Sequence, residues 1–149
     1  MYSHWSANLL VLIATAATVA LVVLVHYEGL HWISMRLARP AHGVRRRKVL
    51  IGVYGVILLH VSEIWLFGCA IWGLLHIPGA GSITGDTQDG LLDAVYLSAT
   101  TFSTLGFGDL VPLGPMRFIC GTEALSGFIL ITWSASFLYL EMREFWRRA

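Results

Sequence analysis

The fold is decided by the stretch Thr101–Asp109, whose sequence is TFSTLGFGD. Gly106 and Gly108 alternate with bulkier residues, and glycine adopts right- and left-handed backbone conformations at little cost. An alternation of the two conformations aims successive main-chain carbonyls in one direction. Several copies of such a strip around an axis replace the water shell of a monovalent cation, and the Thr104 hydroxyl adds one more ring of oxygens. The stretch therefore predicts a cation pathway lined by main-chain oxygens.

The segment Gly90–Pro112 extends this pattern, and its sequence is GLLDAVYLSATTFSTLGFGDLVP. It resembles the pore helix, filter and outer mouth of the potassium channel pore-domain (two-span ion channel) superfamily. Two threonines, two glycines, an aromatic residue between the glycines and a trailing aspartate fall at the family spacing, just before an apolar span. A glycine-rich loop that caps a helix is the competing interpretation. The resemblance covers about Val49–Leu140 and implies a small prokaryotic-type member with an extra N-terminal transmembrane helix.

The resemblance also implies roles for individual residues. The implied selectivity filter is Thr104, Leu105, Gly106, Phe107 and Gly108, with K⁺ bound at the first four. Asp109 would lie at the outer mouth, where Asp86, Asp89 and Asp93 would also raise the cation density. Leu105 and Phe107 take places often held by Val and Tyr. Thr100 stands where some members keep a carboxylate that braces the filter, so the expected filter support is Tyr96, Thr100 and Thr101.

Composition places the chain in a membrane. Of the 149 residues, 56% are hydrophobic and only 13% are charged, and the mean hydropathy is +0.70. A soluble domain carries about twice that share of charge. The expected fold is an all-α membrane protein with three transmembrane helices, a reentrant pore helix and a filter, assembled into a tetrameric pore. Cys69 and Cys120 lie in apolar segments and are expected to be small buried hydrophobes.

Hydropathy and charge divide the chain. We expect an N-terminal transmembrane helix at 1–26, a basic cytoplasmic linker at 27–48, a pore module at 49–141 and a short cytoplasmic tail at 141–149. Within the pore module, the outer helix is 49–77, the pore loop, helix and filter are 78–115, and the inner helix is 116–140. His31–Leu37 in the linker is a candidate surface amphipathic helix. A cleaved signal peptide competes for the first span, but the positive charge follows that span and favours a retained helix.

The pore helix is expected at about Leu91–Phe102, after a polar loop at Pro78–Gly90. Asp93 in its first turn suits the helix N-terminus. Twelve residues are too few to cross a bilayer, and a half-crossing followed by non-helical backbone is tolerated only inside protein or beside water. Such a reentrant element implies a pore.

Charge also predicts the orientation. The basic segments Arg36–Lys48 and Arg143–Arg148 belong in the cytoplasm by the positive-inside rule, which leaves Pro78–Pro112 outside. The N-terminus is then outside and the C-terminus cytoplasmic, in a cell membrane or bacterial inner membrane. A filter that opens outward requires the same orientation.

The third span carries the expected inner-helix positions. Gly127 is interpreted either as the family's hinge or as a site of close helix packing. If the helical phase follows the family, the residues facing the pore are Phe128, Ile131, Ala135 and Tyr139.

His60, Glu63 and Glu123 are the candidate structural or gating ionisable residues inside the spans. His60 and Glu63 share one helix face, where we expect a structural partner from the first span or the pore helix; proton sensing, a cation site and haem ligation by His60 or His76 are the alternatives. Glu123 is expected either to pair with a group such as His60 or to face the cavity.

The predicted function is passive, potassium-selective conduction by a homotetramer, with K⁺ in the filter. No organic cofactor, enzymatic reaction or nucleic-acid partner is expected.

The basic cluster Arg45, Arg46, Arg47 and Lys48 is a topology determinant or an anionic-lipid site. Alternatives are a non-selective monovalent cation channel, a haem-binding electron carrier that uses His26, His60 or His76, and a non-conducting accessory protein.

Overall fold

The computed structural model describes residues 2–38, 45–87 and 90–147, with side chains described for 5–38, 47–87 and 90–143. The elements are α1 (Tyr2–Ala38), α2 (Arg45–Leu75), β1 (Ser82–Gly85), α3 (Leu91–Phe102), β2 (Leu110–Leu113), a 3₁₀ turn (Gly114–Met116) and α4 (Arg117–Arg147). Asp89, Arg148 and the side chains of Arg45, Arg46 and Arg147 lie outside the described part, and so do the expectations placed on them.

Three of the described helices are long and apolar enough to cross a membrane, within Trp5–Ala38, Arg47–Leu75 and Gly114–Arg143. The fourth, α3, has only 12 residues. The predicted all-α membrane fold, with three spans and one short pore helix, is confirmed, and α3 has the predicted bounds.

The first helix is longer than predicted. It continues without a break to Ala38, so it does not end at residue 26, and His31–Leu37 does not form a separate surface helix. The physical reason is packing, since Leu30, Ile33 and Leu37 recur at helical spacing and are buried in one cluster with Val56 and Leu59 of α2. This apolar stripe outweighs the basic composition of the segment. The other long helices also depart from their expected bounds, because α2 starts and ends earlier than 49–77 and α4 runs past residue 140.

Strands β1 and β2 form a short antiparallel ribbon. Strand β1 pairs with β2 in a register that places Ser82 opposite Leu113 and Gly85 opposite Leu110. The segment 78–90 was predicted to be a loop throughout, so β1 is a correction. The ribbon joins the segment before α3 to the segment that follows residues 104–108, which we call the glycine strip, with its outer end at Asp109.

The core lies where α3 packs among the long helices. It is formed by buried side chains from all four helices, including Val22, Phe67, Ile71, Leu97, Phe102, Ile119 and Leu130. Cys120 belongs to this core as expected, whereas Cys69 is exposed on α2 and the expectation for it was wrong. Many other apolar side chains, such as Leu9, Ile13 and Leu58, lie on the outside of the subunit. Such surface suits lipid or neighbouring subunits.

Candidate ion-conduction pathway

The backbone of the glycine strip alternates in hand. Thr104, Gly106 and Gly108 have φ angles of 59°, 51° and 80°, in the left-handed region, at every second position. Thr104 is the one non-glycine residue with positive φ in the described part of the chain. Left-handed backbone is costly for a side chain other than glycine, so a surrounding structure must hold it. This is the alternation that turns successive peptide planes the same way.

The end of the pore helix holds the start of the strip. The Leu105 and Gly106 amides both donate to the Thr100 carbonyl, at 2.9 and 3.0 Å, and the Thr104 amide donates to the Thr101 carbonyl at 2.9 Å. The Thr100 hydroxyl instead donates within α3 to the Leu97 carbonyl at 3.0 Å. Thr100 and Thr101 therefore contact the strip through their main chains.

The strip is uncovered within one chain. Residues 103–109 are all exposed, and Leu105 and Phe107 expose 58% and 67% of their surface. A methyl group added at Gly106 or Gly108 would meet no atom within 4 Å. One face of this backbone is thus free to meet an ion or another copy of the chain.

Tyr96 supports the outer end of the strip. Its hydroxyl donates to Asp109 Oδ2 at 2.7 Å, which links the middle of α3 to the residue that follows Gly108. This hydrogen bond lowers the pKa of the Asp109 carboxyl. Asp109 is therefore ionised at neutral pH and places a negative charge at the outer end.

Asp93 has the local role predicted for it. Its Oδ2 accepts the Gly90 amide at 3.3 Å and the Thr87 hydroxyl at 2.9 Å. The carboxylate thereby satisfies donors at the start of α3.

The inner helix presents two different faces. Gly127 lies against the pore helix end, because a Cβ there would collide with the Phe102 carbonyl. Close packing is thus the observed role of Gly127, and α4 runs through this position as a continuous helix. The four residues predicted to face the pore are all exposed in the single chain: Phe128, Ile131, Ala135 and Tyr139. Gly127 is buried and does not share their face.

Glu123 lies behind the pore helix. The Ser98 hydroxyl contacts both Glu123 Oε1, at 2.5 Å, and the Ile64 carbonyl, at 2.8 Å. Glu123 Oε2 is buried without a hydrogen-bond partner. The prediction of pairing held only in part, since the partner is Ser98 and not His60, and Glu123 is fully buried in the subunit and does not face a cavity.

His60 and Glu63 receive their partner from the first span, as predicted. His26 Nδ1 lies 2.7 Å from Glu63 Oε1, and His60 Nδ1 lies 2.8 Å from Glu63 Oε2. His26 and Glu63 have no exposed surface. We call these three residues the His–Glu–His cluster. His26 was hard to predict as this partner, because it is a lone histidine at the end of an apolar run. His76 lies apart from the cluster, in the turn after α2, with Nδ1 2.8 Å from the Trp72 carbonyl.

Three apolar spans and a half-crossing helix that ends in an uncovered glycine strip define a multi-pass membrane protein of the ion-channel class. The family model described as Ion channel matches residues 49–144, which is more than half of the chain. The chain belongs to the potassium channel pore-domain superfamily.

Three relatives are similar to the chain over about 55% of its length. Protein LctB of Geobacillus stearothermophilus is 35% identical over 82 residues, which cover 55% of this chain and 61% of the relative. Protein LctB of Bacillus caldotenax is 33% identical over 82 residues, with the same coverage. The inward rectifier potassium channel Kirbac3.1 of Paramagnetospirillum magnetotacticum is 28% identical over 85 residues, which cover 56% of this chain and 29% of the relative. The chain thus spans about three fifths of the length of the LctB relatives. No solved structure matches it at a significant level.

Proposed function

We propose that the chain is one subunit of a homotetrameric, potassium-selective channel whose filter is Thr104–Gly108. The observation that carries this proposal is the left-handed backbone at Thr104, Gly106 and Gly108. Within one chain, nothing packs against the two glycines of this strip. A filter needs alternating backbone so that carbonyls replace the hydration shell of the ion. A loop that only caps α3 would need neither the alternation nor the free face.

Four copies follow from the coordination that K⁺ requires. One chain supplies one strip of oxygens, and a ring around an ion needs several strips related by an axis. The exposed Leu105 and Phe107 side chains support this assembly, because large apolar groups beside a polar strip are suited to burial against neighbouring subunits.

The ion path follows from the order of residues. K⁺ would lose water at the Phe107 and Gly108 carbonyls, pass the sites of Gly106, Leu105 and Thr104, and regain water in a cavity. The exposed face of α4 would line that cavity, with Phe128, Ile131, Ala135 and Tyr139. The negative end of the α3 dipole, at Phe102, lies just before the strip and favours cations there. Asp109 attracts cations to the outer end.

The orientation in the membrane belongs to the same proposal. The pore module is 49–141, the first span is an added helix, and Arg36, Arg47 and Arg143 lie on the cytoplasmic side. The N-terminus is then outside, in a plasma or bacterial inner membrane. Lys48 Nζ donates to the Leu37 carbonyl at 2.7 Å, and with Arg47 it forms the described part of a basic cluster that suits anionic lipid headgroups.

Ion flux from purified protein in liposomes tests the function. The expected result is flux under a potassium gradient, little flux under a matched sodium gradient, and loss of that preference in Gly106→Ala, because its φ is unfavourable for a side chain. Gly73→Ala is the matched control, since Gly73 has ordinary helical backbone and open space around it. Mass measurement of the intact particle tests the tetramer.

Each contrary result points to a stated alternative. Equal passage of sodium and potassium would make the protein a non-selective cation channel. Absence of flux from a well-folded tetramer would favour an accessory protein. A monomeric particle, or undiminished selectivity in Gly106→Ala, would overturn the proposal.

A further inference from the structure

The His–Glu–His cluster brings three metal-ligating side chains together inside the subunit. His26 comes from α1, and His60 and Glu63 come from adjacent turns of α2. The ligand atoms all lie within 4.8 Å of one another. The cluster is remote from the glycine strip in sequence and has no part in the conduction path proposed above.

Helix pairing alone does not require this arrangement. One histidine would suffice to join α1 to Glu63, yet two imidazoles approach the two oxygens of one carboxylate, each through Nδ1. Three ionisable groups in a membrane span are costly to bury and are generally retained for a function. The close approach of two ring nitrogens and a carboxylate, with ligand atoms all within 4.8 Å of one another, is the feature that needs explanation.

The geometry points to a binding site for a divalent transition-metal ion, of which Zn²⁺ is the best-suited example. Two imidazole nitrogens and one carboxylate oxygen form a ligand set that zinc uses, with a fourth position left for water. Ligands of a tetrahedral zinc site lie roughly 3.3 Å apart, given metal–ligand distances of about 2.0–2.2 Å. The present N–O distances of 2.7 and 2.8 Å are hydrogen bonds to the two different carboxylate oxygens, and an ion would lengthen these contacts by about half an ångström. The three ligand atoms already lie within 4.8 Å of one another, so the side chains need only small movements to surround an ion.

The surroundings of His26 fit a ligating imidazole. When Nδ1 binds a metal, the ring proton resides on Nε2 and needs an acceptor. The buried Ser134 hydroxyl of α4 lies 3.5 Å from His26 Nε2 and is in position to accept it. Each neutral imidazole carries one ring proton, which moves from Nδ1 to Nε2 as the ion binds. The rings therefore neither gain nor lose a proton. Trp133 packs on the same ring, with centroids 5.1 Å apart, and holds its orientation.

Direct metal binding tests the site, independently of ion flux. Protein purified without a histidine tag and stripped with a chelator is titrated with Co²⁺, and the visible absorption of coordinated Co²⁺ and its displacement by Zn²⁺ are recorded. We expect a single ion per chain in the parent protein. His60→Gln is the main variant, because His60 is only part-buried and glutamine can still donate to Glu63. Its affinity should fall at least roughly tenfold, as should that of Glu63→Gln.

His76→Gln is the matched control, since His76 is an exposed histidine just after the end of α2 and lies outside the cluster. It should bind Co²⁺ like the parent protein. Absence of Co²⁺ coordination in folded parent protein, or unchanged binding in His60→Gln with its fold verified by gel filtration and circular dichroism, would overturn the proposal. If the protein conducts but binds no Co²⁺, only the metal-site proposal fails. If it binds Co²⁺ but does not conduct, only the proposed channel function fails.

Discussion

The Tyr96 hydroxyl donates a hydrogen bond of 2.7 Å to Asp109 Oδ2, and this bond ties the pore helix to the outer end of the glycine strip. The bond also lowers the pKa of Asp109. A carboxyl with a lowered pKa keeps its stabilising bond at neutral pH and loses it as the pH falls through that lowered pKa. The contact is therefore intact under ordinary conditions and weakens only in acid.

Tyr96→Phe removes the donor and lets the pKa of Asp109 rise toward its usual value. We expect potassium flux to decline at a higher external pH than in the parent protein, because Asp109 becomes protonated earlier during acidification. Flux is measured in liposomes as a function of external pH. Tyr54→Phe is the control, since Tyr54 is an exposed tyrosine on α2. Superimposable pH profiles for Tyr96→Phe and the parent would show that this bond does not govern the outer end.

Gly127→Ala tests the contact between the inner helix and the end of the pore helix. Its methyl group would collide with the Phe102 main chain, which cannot move as a flexible side chain does. Overpacking of this kind costs about 1–3 kcal/mol. We expect a lower midpoint of thermal unfolding for the detergent-solubilised protein.

Gly121→Ala is the comparison on the same helix, because a Cβ at Gly121 meets nothing within 4 Å. Alanine raises helix propensity by roughly 0.5–1 kcal/mol over glycine, so this variant should be unchanged or more stable. A hinge without packing constraints at Gly127 would instead tolerate alanine as well as Gly121 does.

Glu123 offers a test of how the pore helix is held from behind. Glutamine keeps an oxygen that accepts from Ser98 and buries no charge, whereas alanine removes the acceptor and leaves a cavity. We expect Glu123→Gln to unfold at a temperature close to the parent midpoint. For Glu123→Ala we expect a lower midpoint, which corresponds to a loss of about 2–3 kcal/mol in the free energy of unfolding. Thermal unfolding followed by circular dichroism measures both. Equal loss in the two variants would mean that the carboxyl group itself, and not only an oxygen acceptor for Ser98, is required.

Local features of the chain were predictable from sequence. The left-handed positions at Gly106 and Gly108 follow from glycine spacing, and the bounds of α3 follow from an apolar run that begins after Gly90 and carries Asp93 in its first turn. Both are decided by neighbouring residues, so no knowledge of the tertiary fold is needed. Thr104 was predicted as an ion ligand, but its left-handed backbone was not foreseen because it depends on hydrogen bonds to the end of α3.

Contacts between distant segments were much harder to predict from the sequence. The continuation of α1 past residue 26 depends on Ile33 and Leu37 packing against α2, and composition alone suggested a polar linker there. The partner of Glu63 was predicted to come from the first span or the pore helix, but it could not be narrowed to His26, because a lone histidine carries no periodic pattern. Pairing of β1 with β2 joins residues almost 30 positions apart, and short strands with little alternation do not reveal such pairing.

Gly85→Ala tests whether this ribbon positions the outer end of the strip. Gly85 has a φ of 132°, and a Cβ there would collide with the Asp109 carbonyl. Gly79→Ala is the matched control, because Gly79 also has positive φ, at 83°, but its nearest neighbour would be the Ala7 methyl at 3.5 Å. Both variants carry backbone strain of roughly 1–2 kcal/mol, and only Gly85→Ala also displaces Asp109. We therefore expect a larger loss of thermal stability in Gly85→Ala than in Gly79→Ala, and a reduced preference for potassium over sodium in Gly85→Ala alone. Equal selectivity in the two variants would show that the ribbon stabilises the fold without setting the geometry at Asp109.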